Sequence, residues 1–451
     1  MILLLLSSAC TEPCLVGDDP SDSAETALSG DDFALDVTAE ISEYVHTVVI
    51  VRWSTAEPTT GYVEFGPDDE YGQTTLTTAE GTEHEVLLLG QPADTLVHFR
   101  VVIDTAAGEA PTHDYEITTL SLPSGIPVPI VSGAVTGQWS YQVLPMQGTA
   151  LFVTIIDDKG RIIWYYEPQN GGNLMRALLT HDRKSVLLGH AGAQGHLEDG
   201  ILEWISLDGG TVTTADVPNF DHDLTELPDG TVALIMLEDR GHEDGSPWAA
   251  DRIMELAPDG TMTQVFNAWD QLDPTGLEEL SNWTHANAID YVESEDCYYL
   301  SMKEIGTLAK IPRSTGVPEW MINGRFNQFE FIDGAVPGEM QHQFEVLGDG
   351  HLLLFDNGKP ERGYSRAVEL QLDFNAMTAS QLWEYIRVPP VYVYAKGDVS
   401  RFADDSTQVT WSTSGEIQLV DAGGGLLWQL NLPLGNATTF VQTVTSLYED
   451  R

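Results

Sequence analysis

The chain has 451 residues, with 70 Asp and Glu against 20 Lys and Arg and a formal charge of −50. That length provides for two or three domains and a sizeable buried core, while the charge opposes contact with phosphate backbones or anionic lipid and makes nucleic acid a poor candidate partner. With 42 % hydrophobic residues, 41 glycines and only Cys10, Cys14 and Cys297, the composition is that of a loop-rich globular protein with neither a disulfide framework nor a zinc site.

In chain order, residues 1–6 are an apolar run ending in Ser7-Ser8-Ala9-Cys10, which resembles a bacterial lipoprotein signal. Export to the periplasm or cell surface, with a lipid on Cys10 as the sole membrane attachment, is therefore expected. Residues 17–32 are rich in Asp, Ser and Gly and suit a flexible tether, so that 1–35 precede the folded body. No stretch approaches the roughly 20 apolar residues that span a bilayer.

Residues 36–121 alternate as strands at 48–54, 61–65, 83–89 and 97–102, separated by turn residues at intervals that suit a β-sandwich. Their order, with Trp53 after the second strand and Leu89-Gly90-Gln91-Pro92-Ala93-Asp94-Thr95 before Phe99-Arg100-Val101, resembles a fibronectin type III-like module. A Pro-rich connector at 122–134 marks a boundary.

Across 135–451 a unit of about 50 residues recurs six times, as expected of propeller blades. Its strand with an acidic or glycine turn appears around 152–164, 205–210, 253–260, 308–316, 368–373 and 417–424. Helical periodicity is nearly absent, so the expected fold is all-β, a six-bladed β-propeller preceded by a small β-sandwich.

The other half of each unit opens on one column: Arg176, His222, His285, His342 and Gly397, spaced 46, 63, 57 and 55 residues apart. If the column starts a strand near the axis, three of the chain's 12 histidines and one arginine converge on a central mouth. Converged imidazoles suit two chemistries: three neutral ligands for a hydrolytic metal, or a nucleophile with neighbours that stabilise a transferring anionic group. Arg176 favours an anion, because a guanidinium repels a metal ion and grips oxyanions in pairs.

The ordered motifs Trp283-Thr284-His285-Ala286-Asn287, Leu300-Ser301-Met302-Lys303, Met340-Gln341-His342, Asp356-Asn357-Gly358, Ser365-Arg366 and Gly397-Asp398-Val399-Ser400-Arg401-Phe402 resemble the arylsulfate sulfotransferase family over about 140–448. The resemblance implies a six-bladed propeller, often with an N-terminal sandwich, that moves a sulfuryl group between phenols without a nucleotide donor or any cofactor. It implies His342 as the nucleophile of a ping-pong reaction through a sulfohistidine, with His222 and His285 in proton transfer and oxyanion stabilisation. Lys303 stands where the family carries an arginine, which keeps the charge but loses the bidentate fork. A disulfide found in some members has no counterpart, since Cys297 is alone in the folded region.

Arg176, Tyr392 and Tyr394 are candidates for binding substrate. The turns at Asp157-Asp158 and Asp404-Asp405 read as solvated, the segment with His190, Gly192, Gly195 and His196 as a loop near the mouth, and Trp164, Trp320, Trp383 and Trp428 as core between blades. Two alternatives stand beside the transferase: a propeller that only binds an anionic or aromatic ligand or a surface partner, and a metal hydrolase using the three histidines.

Overall fold

The computed structural model describes residues 28–148, 150–169, 173–192 and 199–448. The expected lipid anchor at Cys10, and Gly195 and His196, lie outside the described residues. Six sheets form a six-bladed propeller behind an N-terminal β unit. Among the described residues the α-helix is the four-residue Ala268–Gln271.

The N-terminal unit differs from two separate sheets in one respect. The 18-residue strand Val49–Gly66 pairs through its first half with Ala34–Ile41 and Gly81–Leu88 and through its second with Leu96–Thr105. Seven strands therefore make one sheet curled around Val51, Trp53, Val63, Phe65 and Phe99. It is fastened to the propeller by polar contacts: the Thr47 hydroxyl donates to the Ile163 carbonyl (2.7 Å), and the Tyr448 hydroxyl donates to Leu87 O (2.8 Å) while accepting from Leu89 N (2.9 Å).

Each sheet opens on the column-bearing strand, half a unit away from the repeat as read in the sequence. Blades 2 to 6 begin with Asn173–Leu179, Phe220–Glu226, Ala286–Val292, Phe344–Gly348 and Asp398–Arg401. Blade 1 takes its first strand from the other end of the chain: Gln442–Val444 pairs with Tyr141–Gln147 and closes the ring. Burial follows position in the blade. Second strands such as Ser185–Ala191, Cys297–Met302 and Thr407–Trp411 are buried almost throughout, because neighbouring blades cover both faces. Outer strands such as Val212–Asp216 are mostly exposed. Trp164, Trp320 and Trp428 lie in the core as expected, but Trp383 is half-buried beneath the Arg401 guanidinium, 5.0 Å from its ring. Asp157 is not a solvated turn residue: it is buried and accepts from the Lys159 and Arg161 amides. His190, expected in a loop, is fully buried in a strand 2.9 Å from Glu203.

First strands of adjacent blades share no ladder, so side chains satisfy the backbone at every junction. Blade 1 joins blade 2 through Leu179 N to Gln442 Oε1 (2.7 Å), and blade 2 joins blade 3 through His181 N to Glu226 Oε2 (2.7 Å). Next come Ile289 N to Asp223 Oδ2 (3.1 Å) and Asn287 Nδ2 to the Gln341 carbonyl (2.9 Å). Arg401 N to Glu345 Oε2 (2.6 Å) and Val441 N to Asp398 Oδ2 (2.9 Å) complete the circle. Burial pushes Asp223 and Asp398 up to about 6 and Glu345 up to about 7.

A carboxyl group whose pKa is higher folded than unfolded loses stability for the fold as pH rises through that interval. Glu345→Gln keeps an acceptor for Arg401 N and removes this one loss. Its melting temperature should therefore gain on the parent protein's from about pH 5 to about pH 8; a difference that stays constant across that range contradicts the assignment.

Candidate active site

The column residues start the first strands or immediately precede them, where the chain must turn in from a loop and aim a side chain at the axis. His222 and His285 do this in the left-handed region, with φ of 60° and 46°. In each strand the register slips beside the histidine, between Phe220 and Leu224 and between Ala286 and Ala288. Such a bulge re-aims one residue, and a left-handed non-glycine costs about 1 kcal/mol, a strain that recurs at functional positions.

The structure brings His222, His285, His342 and Lys303 together. The rings of His222 and His285 are 4.6 Å apart between centroids, inclined at 57°. Lys303 arrives from the turn after Cys297–Met302, which folds over the start of the neighbouring strand through Lys303 N to His285 O (3.0 Å). Its ammonium donates to His285 Nε2 at 3.4 Å and lies 3.3 Å from Glu304 Oε1.

The three imidazoles are held in different states. His342 is buried, and its Nδ1 lies 2.8 Å from Asn357 Oδ1. The Asn357 amide nitrogen gives both its hydrogens to carbonyls, Val393 O at 2.9 Å and Lys396 O at 2.8 Å, so its oxygen is the group left to face His342. An amide oxygen only accepts, so Nδ1 carries the hydrogen and Nε2 the lone pair. Burial, reinforced by the positive charges of His222 and Lys303 against the favourable bond to Asn357, pushes His342 down to about 3. It is neutral at physiological pH. Burial and the charges of His222, Lys303 and His342 push His285 lower still, to about 2. His222 goes the other way: burial opposes its charge, but Asp221 Oδ1 at 2.8 Å from Nδ1 and the Asp251 carboxylate outweigh it and hold the imidazole above its ordinary value.

Arg176 shares the column but not the cluster. Its Nη1 lies 3.7 Å from Asp223 Oδ1, its guanidinium packs over Phe440 at 5.2 Å, and its charge lowers Asp223, Asp290 and Asp398. Tyr392 and Tyr394 flank Val393 in the connector that holds Asn357. Val393 is the buried residue there, Tyr392 is half-buried and Tyr394 is 70 % exposed. The sequence reading gave no role to Asn357, Asp221, Asp251 or Lys396. Asn357 lay within a quoted motif and Asp221 beside a column histidine, whereas no sequence signal marks Asp251. Lys396 precedes the column glycine Gly397, donates to Gln147 Oε1 (3.0 Å), and is lowered by burial to about 8.

Among the described residues, the group of His, Asp and Glu whose ligand atoms gather closely enough for one ion is the surface trio His98, Asp114 and Glu116. The three column imidazoles do not close in this way, and the ammonium of Lys303 occupies Nε2 of His285. A recess of about 570 Å³ around Thr180, Trp204 and Glu226 opens between blades 2 and 3, at the other end of the His222 strand from the imidazoles.

Fold and mouth together define a six-bladed propeller with an axial imidazole site. Residues 141–421, well over half of the chain, match the model of the arylsulfotransferase (ASST) family, and the chain belongs to that family. Membership supports aryl sulfotransferase activity in general, with a small aryl sulfate as donor and a phenol as acceptor. A search of the curated proteins finds no match. Among solved structures, the chain is similar to a Bacteroides caccae protein of unknown function (12 % identity, 68 % of this chain, 100 % of that one, TM-score 0.44). It is also similar to virginiamycin B lyase from Staphylococcus aureus (12 %, 70 % and 98 %, 0.40) and to a putative 6-phosphogluconolactonase from Bacteroides fragilis (11 %, 86 % and 98 %, 0.37).

Asn357→Ala should leave the fold intact and slow sulfuryl transfer by about a hundredfold, the order of loss expected when a reacting group is misplaced by about an ångström. Steady-state release of a chromogenic phenol, alongside a thermal melt, checks this; wild-type turnover in the variant would show that the tautomer of His342 is set elsewhere.

Proposed function

We propose that the protein transfers a sulfuryl group from an aryl sulfate to a phenol in two half-reactions through a sulfohistidine on His342. The observation that carries this reading is the bond from His342 Nδ1 to Asn357, which leaves Nε2 unprotonated in a group that stays neutral at physiological pH. In the first half-reaction the Nε2 lone pair forms the N–S bond. The S–O bond to the aryl group breaks, and its electron pair stays on the phenolic oxygen, which takes a proton from His222. In the second, an acceptor phenol gives its proton back to His222 while its oxygen forms the new S–O bond and the N–S pair returns to His342.

Lys303 supplies positive charge for the sulfuryl oxygens as a single ammonium, and His285, neutral and accepting from Lys303, orients that ammonium rather than donating a proton. Arg176 belongs with the carboxylates behind the mouth and offsets their charge. Tyr392 and Tyr394 flank the acceptor side in this reading. Export with a lipid on Cys10 belongs to it as well, supported by the Ser7-Ser8-Ala9-Cys10 sequence.

Mixing the protein with a chromogenic aryl sulfate should release phenol in an acceptor-dependent way and leave an adduct of about 80 Da, one sulfuryl group on a histidine nucleophile, that His342→Ala does not form. No release and no adduct across several donors would leave a ligand-binding propeller. A second expectation concerns pH. The raised His222 is charged below its folded pKa and loses its proton as pH rises through it, while His342 is neutral well below pH 5. The rate of the first half-reaction, followed as single-turnover phenol release, should therefore stay level through mildly acidic pH and decline on the alkaline side. A decline on the acidic side near the ordinary histidine value would reverse the assignment of the two imidazoles.

A further inference from the structure

Asp251 lies behind the mouth in the third strand of blade 3, Ala249–Leu256, fully buried. Its Oδ2 accepts from the Thr284 hydroxyl at 2.5 Å and from the Ala286 amide at 2.6 Å, the two residues that bracket His285. The Thr284 hydroxyl in turn accepts from Asp251 N at 2.9 Å. Its Oδ1 is buried and accepts no hydrogen bond. Asp221 and His222 form a pair of their own, with Nδ1 and Oδ1 at 2.8 Å. One carboxyl group thus holds both neighbours of His285, whose ring lies 4.6 Å from that of His222 between centroids.

Tethering Thr284 and Ala286 requires an acceptor but no charge, and an asparagine oxygen would serve both bonds. A buried carboxylate with one oxygen unpartnered is costly unless a nearby cation offsets its charge or it takes a proton. The charged groups that act on His222 are Asp221, Asp251 and Lys303, and His285 and His342 are the imidazoles its own charge acts on. Of the three imidazoles, His222 has the close carboxylate, at 2.8 Å, while His285 Nδ1 lies 3.9 Å from Glu304 Oε1 and His342 meets the Asn357 amide.

From this arrangement we infer that Asp251 is a positioning residue that fixes the His285 segment and, with Asp221, keeps His222 as the imidazolium that delivers a proton to the departing phenolic oxygen. The inference rests on the sulfuryl-transfer reading for its chemistry but not for its electrostatics. The charge of Asp251 raises His222; on Asp251, burial and Asp221 push upward against the bonds from Ala286 and Thr284 and the charge of His222, to about 7.

The test compares Asp251→Asn, which keeps the acceptor for Thr284 and Ala286, with the parent protein. In the ligand-free protein, the His222 imidazole signals followed by NMR against pH should titrate lower by about one unit, the scale of one lost neighbouring charge. Asp221→Asn should move them the same way. An unmoved His222 titration in Asp251→Asn overturns the inference whether or not the protein transfers sulfuryl groups. In the first half-reaction, Asp251→Asn should lose little with a donor whose phenol leaves readily, such as 4-nitrophenyl sulfate, and at least tenfold more with phenyl sulfate. Equal losses for both donors would reduce Asp251 to a tether and overturn its part in proton delivery. Absence of transfer in the parent protein, with the His222 shift present, would sink the sulfuryl-transfer reading and leave the electrostatic role of Asp251 standing.

Discussion

The structure depends on how the first strands of six blades meet around an axis without a shared ladder. Backbone amides and carbonyls there need partners from outside a ladder. Gln442, Glu226, Asp223, Asn287, Glu345 and Asp398 provide one polar bond at each of the six junctions. Part of the chain's acidity is thus interior and structural. It is tolerated because each carboxylate accepts from an amide, because burial lets several hold a proton near neutrality, and because Arg176 lies among Asp223, Asp290 and Asp398. The ring is closed by hydrogen bonds: Gln442–Val444 pairs with Tyr141–Gln147, so one blade draws its strands from both ends of the propeller segment.

The same geometry makes the site. A chain entering the axis from a loop has to reverse direction within a residue or two, and His222 and His285 make that turn with left-handed backbones that glycine would adopt more cheaply. The strain is tolerated where a side chain must point into the mouth. Three imidazoles then sit within reach of one another, yet their surroundings differ. Burial, against the bond to Asn357, leaves His342 uncharged; burial with the charges of His222 and Lys303 does the same for His285; Asp221 and Asp251 promote charge on His222. Environments that push like groups apart assign acid and nucleophile roles within one site. A lysine in place of a guanidinium fits this economy of charge, since a point ammonium pairs with one imidazole nitrogen and one carboxylate at once.

The N-terminal unit contributes no residue to the mouth. Its strands are rich in Val, Ile and aromatic residues that alternate with polar ones, and the single strand Val49–Gly66 passes through both halves of its sheet, so the unit curls as one body. Its hold on the propeller runs through the polar contacts of Ser42, Thr47 and Tyr448 and through Val45, Val48 and Leu89, which share a buried core with Ile163 and Trp164.

Much of this was legible in the sequence, for a physical reason. A strand pattern repeated at a near-constant interval can bury both faces and cover its edges only by closing into a ring, so the blade count, the all-β class and the column Arg176, His222, His285, His342 and Gly397 follow from period and residue type. What the interval could not show is which side chains from different blades meet. Asp251 is 34 residues from His285 and in another sheet, yet it grips both neighbours of that histidine. Arg176 shares the column but turns to the carboxylates, Asp157 folds back on its own turn, and His190 is buried in a strand, because depth and rotamer rather than column decide a side chain's partners. The sequence by itself determined that imidazoles would gather at an axis. Only the tertiary structure decided which of them is neutral and which is charged, because the states of buried groups are set by the few charges and dipoles packed against them from other blades.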